Sequence, residues 1–159
     1  MKSTPEPKRK HFGLSKSRLM TGIQCEKALY LTTHQSDLAE QISDAQQMIF
    51  DQGHAVGLEA HKHFPNGVLI DAPYKEPRLA LEQTQAAIAA NALSIYEATF
   101  EYKHVLVKVD ILTRASARHA WEIVEVKSST QAKEVHIQDA AIQLWVTRGA
   151  GLKVKSVSL

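Results

Sequence analysis

Three consecutive segments rich in Val, Ile, Tyr, Phe and Thr constrain the fold of this chain most strongly. They are Ile95–Tyr102, His104–Thr113 and Ala120–Lys127, and short polar turns separate them. Branched and aromatic side chains of this kind are typical of strands. The sequence therefore predicts three consecutive strands in the second half of the chain.

A helix and one more strand follow this block. Glu134–Arg148 has a helical composition and is ended by Gly149-Ala-Gly151, after which 152–159 alternates like a strand. A helix between two strands usually crosses one face of their sheet. We therefore predict a mixed α/β domain in which this helix crosses over.

The first half of the chain has helical patterns. Ser15 or Ser17 can cap a first helix, which Gly22 could divide into two. Asp37 with Glu40 resembles a capping box for a long second helix. Its apolar face recurs at steps of three and four, at Leu38, Ile42, Ala45, Ile49, Gly53, Val56, Ala60 and Phe64. A short strand at Val68–Ile70 and a helix at 78–92 are also predicted.

Length and composition set the class of protein. With 159 residues, 44% hydrophobic and 23% charged, the chain fits one folded domain, which we assign to 14–159. No apolar run approaches eighteen residues, so we expect no membrane partner. Six of the 19 Lys and Arg lie within 1–18. We predict that 1–13 is a disordered basic arm, which either contacts phosphates or is only a frayed terminus.

The single cysteine limits the redox and metal chemistry. Cys25 alone excludes an intramolecular disulfide and a four-cysteine zinc or iron–sulfur site within this chain. We expect a cytoplasmic protein. Leu159 ends the chain directly after a predicted strand, so we also expect it to be part of a longer protein, with further domains as partners.

The residues that suggest chemistry lie on the predicted strands. Asp110 is surrounded by apolar residues, where an unpaired carboxylate is costly and usually has a cation beside it. Glu125 and Lys127 are two positions apart and therefore point to the same side of a strand. If the two strands form a hairpin, Asp110 can reach Glu125. Two carboxylates with a lysine beside them predict a magnesium or manganese site.

The ordinary alternative is a surface hairpin whose charged residues are solvated or paired with one another. Two features favour the functional interpretation. Val124 and Val126 alternate with the charged pair, as in a sheet with one functional face. In the following helix, His136, Asp139 and Gln143 share one side that could lean over the site, whereas Ile137, Ala141 and Leu144 are predicted to pack on the sheet.

The order of these elements, with the string Asp110…Glu125-Val-Lys127, resembles the PD-(D/E)XK nuclease superfamily, and in particular its RecB-like, CRISPR-associated exonuclease-like branch. Three further strings resemble motifs of that branch. They are Ser15-Lys-Ser-Arg-Leu-Met-Thr-Gly-Ile-Gln-Cys25-Glu-Lys-Ala-Leu-Tyr30, Phe50-Asp-Gln-Gly53-His54-Ala-Val-Gly57 and Asp139-Ala-Ala-Ile-Gln143-Leu-Trp145.

The resemblance implies a restriction-endonuclease-like fold and phosphodiester hydrolysis that depends on Mg²⁺ or Mn²⁺. It implies catalytic roles for Asp110, Glu125, Lys127 and Gln143, with DNA as the expected substrate. It adds His54 as a metal ligand, although the family histidine usually follows its glycine by about four positions, where Gly57 stands here. Iron–sulfur members use four cysteines, so we expect no cluster and predict that Cys25 is a buried packing residue.

Two other functions stay open at this point. The domain could be a catalytically idle nucleic-acid-binding module of the same fold, which uses Lys127, Gln143 and the basic arm. It could also be an unrelated α/β interaction domain with a fortuitous Glu-x-Lys string. Glu97 and Glu101, on the first predicted strand, are candidates only for a supporting role. His61 and His63 are expected to be surface residues.

Overall fold

A six-stranded mixed sheet carries the fold in the computed structural model, which describes residues 13–159. The strands are β1 (Leu14–Ser15), β2 (Val68–Leu69), β3 (Ser94–Tyr102), β4 (Val105–Thr113), β5 (Trp121–Val124) and β6 (Val154–Ser158). The helices are α1 (Lys16–Gln24), α2 (Glu26–His34), α3 (Asp44–His61), α4 (Pro77–Ala89) and α5 (Glu134–Gly149). The predicted basic arm, apart from Gly13, lies outside the described residues.

The sheet order confirms the predicted α/β class. The strands run β2-β3-β4-β5-β6, and the short β1 pairs with the beginning of β4. β3, β4 and β5 form an antiparallel meander, whereas β6 is parallel to β5 and β2 is parallel to β3. A parallel pair needs a crossover, and α5 supplies it between β5 and β6.

The core lies where the central strands are covered by helices. β3 and β4 contribute most of the fully buried side chains, including Ile95, Phe100, Val107, Val109 and Leu112. From α4, the buried Thr84 hydroxyl accepts a hydrogen bond from Thr99 N at 2.9 Å. Because this bond satisfies a buried main-chain donor, it ties α4 to the sheet.

The long third helix begins later than the sequence pattern predicted. Its capping box is formed by Ser43 and Gln46, each of which bonds the main-chain N–H of the other, and α3 starts at Asp44. Asp37 lies instead in a short 3₁₀ turn, Ser36–Leu38. The Asp37–Glu40 prediction is therefore wrong: the reciprocal bonds that make a capping box form six residues further on.

The break between the first two helices falls at Cys25 and not at Gly22. Cys25 has an extended backbone and is exposed, so the prediction of a buried packing cysteine is wrong. Gly22 stays helical and has another use. A Cβ at this position would lie 2.8 Å from Leu29 Cδ2, so the missing side chain leaves room for the Leu29 side chain of α2.

Two predicted helix faces also differ from those observed. No residue of α3 is buried, and its apolar side chains Met48, Ile49, Phe50 and Leu58 are exposed. On α5, Ile137 is 60% exposed, whereas Ile142 and Val146 are buried against the sheet. The helix is therefore rotated from the predicted orientation, which brings Asp139 and Gln143 inward.

Candidate active site

The predicted pair of carboxylates meets in one cleft. In the antiparallel register of β4 and β5, Ile111 lies opposite Val124, so the next positions bring Asp110 opposite Glu125. The cleft has a volume of about 370 Å³ and lies between α3 and the sheet. It is lined by Gly53, His54, Gly57, Leu58, His61, Glu97, Asp110, Glu125, Val126 and Lys127.

The third strand of the meander, β5, was predicted to extend to Lys127, but it ends before Glu125. β5 stops at Val124, and the N–H of Val126 donates to Asp110 Oδ2 at 2.7 Å. The Asp110 carboxylate therefore accepts the hydrogen bond that the Val126 N–H would donate to the main chain of β4 if β5 were longer. Glu125 N still bonds Ser158 O of β6 at 2.9 Å, which holds this segment in the sheet.

Glu125 is the most deeply buried carboxylate of the cleft, at 2% exposure. Its Oε1 accepts from Lys127 Nζ at 2.5 Å and from Lys16 Nζ at 3.1 Å. Its Oε2 accepts a short hydrogen bond from Gln143 Nε2. Such partners are required because an unpaired buried charge is strongly destabilising.

Gln143 connects α5 to the site, as its position in the sequence predicted. Besides Glu125, its Nε2 donates to Asp139 Oδ1 at 3.1 Å. Its side-chain Oε1 is buried and has no hydrogen-bond partner among the described residues. An unsatisfied buried acceptor beside a charged cleft is a place where a water molecule or a ligand donor is favoured.

Near neutral pH, the Asp110 carboxyl group is partly protonated. Burial raises the pKa of its carboxyl to about 7, and the nearby charge of Glu125 acts in the same direction. The hydrogen bond from Val126 and the charge of Lys16 oppose this rise but do not cancel it. A carboxylate that is destabilised in this way gains from a cation placed beside it.

Asp139 was predicted as part of a polar helix face that could lean over the site, without a role of its own, and the structure brings it into the cluster. Burial acts to raise the pKa of Asp139, but hydrogen bonds from Lys127 and Lys16 outweigh it and hold this pKa well below its usual range. For Lys127, burial would lower the pKa, but hydrogen bonds to Asp139 and Glu125 raise it. Lys127 is therefore a fully charged ammonium.

Lys16 is a site residue that the sequence reasoning missed. It begins α1, and its Nζ lies 2.8 Å from Asp139 Oδ1 and 3.1 Å from Glu125 Oε1. The signal was weak but present, since Lys16 belongs to the Ser15-Lys-Ser string that carries part of the family resemblance. The N-terminal helix thus contributes charge to a site built mainly from the second half of the chain.

The histidines of α3 flank the cleft. His54 lines it with an exposed side chain, so its predicted role as a ligand stays a prediction. His61, expected to be a simple surface residue, is partly buried and stacks on Tyr96 with ring centroids 3.9 Å apart. This stack fixes the end of α3 against β3.

Glu97 faces the cleft from β3 in an unusual conformation. Its φ of 59° lies in the left-handed region, which costs a non-glycine residue energy inside a strand. By the β3–β4 register it lies opposite Asp110, and its carboxylate pairs with Lys108 at 3.2 Å. Its negative charge contributes to the raised pKa of Asp110.

The donor set matches a small, hard divalent cation better than a softer metal. Within 13–159, no three His, Cys, Asp or Glu side chains are grouped closely enough to form a complete protein cage. Mg²⁺ does not require one, because it is commonly held by one or two carboxylates and completes its shell with water and substrate phosphates. Asp110 and Glu125 fit this pattern.

Comparison with protein-family models, curated proteins and solved structures finds no match for this chain. Among the helices that the structure describes, none combines the length and the apolar character needed to cross a membrane.

Proposed function

We propose that this domain is a divalent-metal-dependent nuclease that hydrolyses phosphodiester bonds in DNA, with a restriction-endonuclease-like fold. One observation carries the proposal. Asp110 and Glu125 line the same cleft, with the ammonium of Lys127 2.5 Å from Glu125. We expect this activity in the cytoplasm, in keeping with a chain that has a single, exposed cysteine.

In this proposal, Asp110 and Glu125 hold Mg²⁺ or Mn²⁺. A cation bound there would supply Lewis-acid stabilisation of the phosphate and a more acidic water. Gln143 fixes the orientation of Glu125 through its hydrogen bond to Oε2. Asp139 binds both Lys127 and Lys16, so it keeps the two ammonium groups beside Glu125.

Lys127 places a positive charge beside the reacting phosphate. Its ammonium has three N–H donors, of which two are used by Glu125 and Asp139. The third can donate to a phosphate oxygen, where negative charge increases in the transition state. Lys127 cannot bind the metal, because a charged ammonium has no lone pair.

The second candidate is a catalytically idle nucleic-acid-binding module. A specific observation favours it, since Glu125 already has three hydrogen bonds, two of them from lysines. The cluster is therefore stabilised without a cation, and a metal must compete with Lys16 and Lys127 for Oε1.

The deciding experiment is degradation of linear DNA with Mn²⁺, and again with excess EDTA. We expect cleavage by the parent only with the metal, and none by Asp110→Ala or Glu125→Ala. Glu122→Ala is a matched control, because Glu122 is near in sequence but pairs with Lys155 at 3.1 Å, away from the cleft. If the parent binds Mn²⁺ but cleaves neither DNA nor RNA, the idle module is the correct assignment.

A further inference from the structure

A second cavity of about 200 Å³ lies beside the cleft, and neither the sequence motifs nor the proposed chemistry accounts for it. It is formed by β1, the first turn of α1, the loop before α4, the first turn of α4, and residues of β3 and β4. Its lining is Ser15, Lys16, Ser17, Ala72, Pro73, Tyr74, Pro77, Ala80, Thr99, Leu106 and Lys108. We refer to it as the Tyr74 pocket.

Two lysines join the Tyr74 pocket to the carboxylate cleft. Lys16 lines the pocket and binds Glu125 and Asp139, and Lys108 lines the pocket and binds Glu97 at 3.2 Å. Each lysine therefore spans the boundary between the two cavities. A ligand in the pocket would lie within one side-chain length of the cleft.

Tyr74 is unusual for an aromatic residue because its side chain is 88% exposed. It lies between Pro73 and Lys75 on the loop before α4, and its ring contacts no other aromatic ring within residues 13–159. Large exposed rings beside an apolar pocket commonly mark a binding site, since burying the ring against a ligand is favourable.

The chemistry of the pocket selects its ligand. Its walls are mainly Ala, Pro, Leu and the Tyr74 ring, which suit a flat apolar face, whereas Lys16 and Lys108 suit an anion. The first turn of α1 lies at the same rim, and the positive end of a helix also favours anions. A planar ring joined to a phosphate meets both requirements, and this is what a nucleotide unit of a nucleic acid offers.

We propose that the Tyr74 pocket binds one unpaired base of a single-stranded nucleic acid, with the adjoining phosphate on Lys108. This inference rests on the proposed function only in that the bound strand would be cleaved in the neighbouring cleft; the binding of the base does not depend on cleavage. A base can enter the pocket only when it is not stacked in a duplex, and a single strand has no pairing energy to lose. The substrate class is therefore a single strand or a frayed end.

The Lys108–Glu97 ion pair does not prevent this binding. The two side chains are partly exposed, Lys108 at 43% and Glu97 at 37%, and ion pairs that solvent can reach contribute little net energy. A phosphate can therefore replace Glu97 as the partner of Lys108, or share its ammonium.

Fluorescence anisotropy with a labelled strand of about 12 thymidines tests the proposal, in EDTA and again in Ca²⁺, with a check that the strand stays intact. Tyr74→Ala should weaken binding by about 5- to 150-fold, the range typical of losing one base–aromatic stack. Tyr74→Phe should retain affinity because it keeps the ring. On an abasic strand of the same length, Tyr74→Ala should bind like the parent, since no base is left to stack.

Lys108→Ala should remove one phosphate contact. The slope of log affinity against log salt concentration should therefore become shallower by about 1. Lys155→Ala is its matched control, because Lys155 is an exposed lysine in a similar pair with Glu122 at 3.1 Å. Equal affinities of Tyr74→Ala and the parent for the thymidine strand would overturn the proposal, as would a parent that binds only duplex DNA. If metal-dependent cleavage is absent but binding depends on Tyr74, the proposed nuclease function fails and the pocket assignment stands.

Discussion

Replacing Asp110 by Asn should make the metal-free protein more stable at pH 8. Burial and Glu125 raise the pKa of Asp110 from 3.8 to about 7, so its charged form is unfavourable in the folded state. Asn keeps an oxygen that can accept the Val126 N–H, which lies 2.7 Å from Asp110 Oδ2. The variant therefore removes the charge and retains the hydrogen bond.

The size and the pH range of the effect follow from this pKa. Between pH 4 and 7 the folded parent keeps a proton that the unfolded chain loses, so its stability falls as the pH rises and levels off above about 7. A rise of about three pKa units, at about 1.4 kcal/mol each, sets a ceiling of about 4 kcal/mol. We expect Asp110→Asn to exceed the parent by about 1–4 kcal/mol at pH 8 and to equal it near pH 4.

Urea unfolding at several pH values in EDTA measures this difference, followed by the same titration with excess Mn²⁺. At a hundred times its Kd, the metal should stabilise the parent by about 2.7 kcal/mol and the variant by much less. Asp71→Asn is the control, because Asp71 is exposed and outside the cleft, and it should change stability by less than about 0.5 kcal/mol. A variant less stable than the parent at pH 8, or equally stabilised by Mn²⁺, would refute the reasoning.

Three further outcomes are expected. Lys127→Ala should leave Mn²⁺ affinity unchanged or raise it, as calorimetry would measure. It should slow DNA cleavage by about a hundredfold or more in a degradation assay. Cleavage at the parent rate would exclude a role of Lys127 in stabilising charge on the phosphate. Asp139→Asn should cost about 1.5–3 kcal/mol at pH 7, through its hydrogen bonds to Lys16 and Lys127. Because the pKa of Asp139 is lowered, this loss should shrink as the pH falls below about 4, and a pH-independent loss would contradict it. Cys25→Ser should leave urea stability within about 0.5 kcal/mol, since Cys25 is exposed, and metal analysis of the parent should find no bound iron; iron in proportion to the protein would overturn this.

Local patterns were enough to predict the three strands of the meander and the meeting of Asp110 with Glu125. Branched and aromatic residues identified β3, β4 and β5, and the polar turns between them indicated antiparallel neighbours. With that pairing, the fifteen-residue separation of Asp110 and Glu125 in the sequence already suggested that they meet. Gln143 followed from its place on α5. These features depend on neighbours in sequence, whose side-chain directions are set by strand and helix periods.

The tertiary structure alone decided which charges complete the cluster. Lys16 reaches Glu125 across 109 positions of sequence, and no local period encodes such a contact. Asp139 could have been a solvated helix residue, but the rotation of α5 that buries Ile142 and Val146 turns it inward. Long-range packing chooses among helix faces that have similar local patterns.

The end of β5 and the exposure of α3 also depend on contacts between segments that are distant in the sequence. β5 stops at Val124 because a side chain from another strand, Asp110, takes the N–H of Val126. The apolar repeat of α3 predicted a helix correctly, but a repeat specifies only that one face is apolar and not what covers it. Sequence determined the elements and the spacing of the carboxylates, whereas the contacts between distant segments determined their charge environment, since those contacts exist only after the chain has folded.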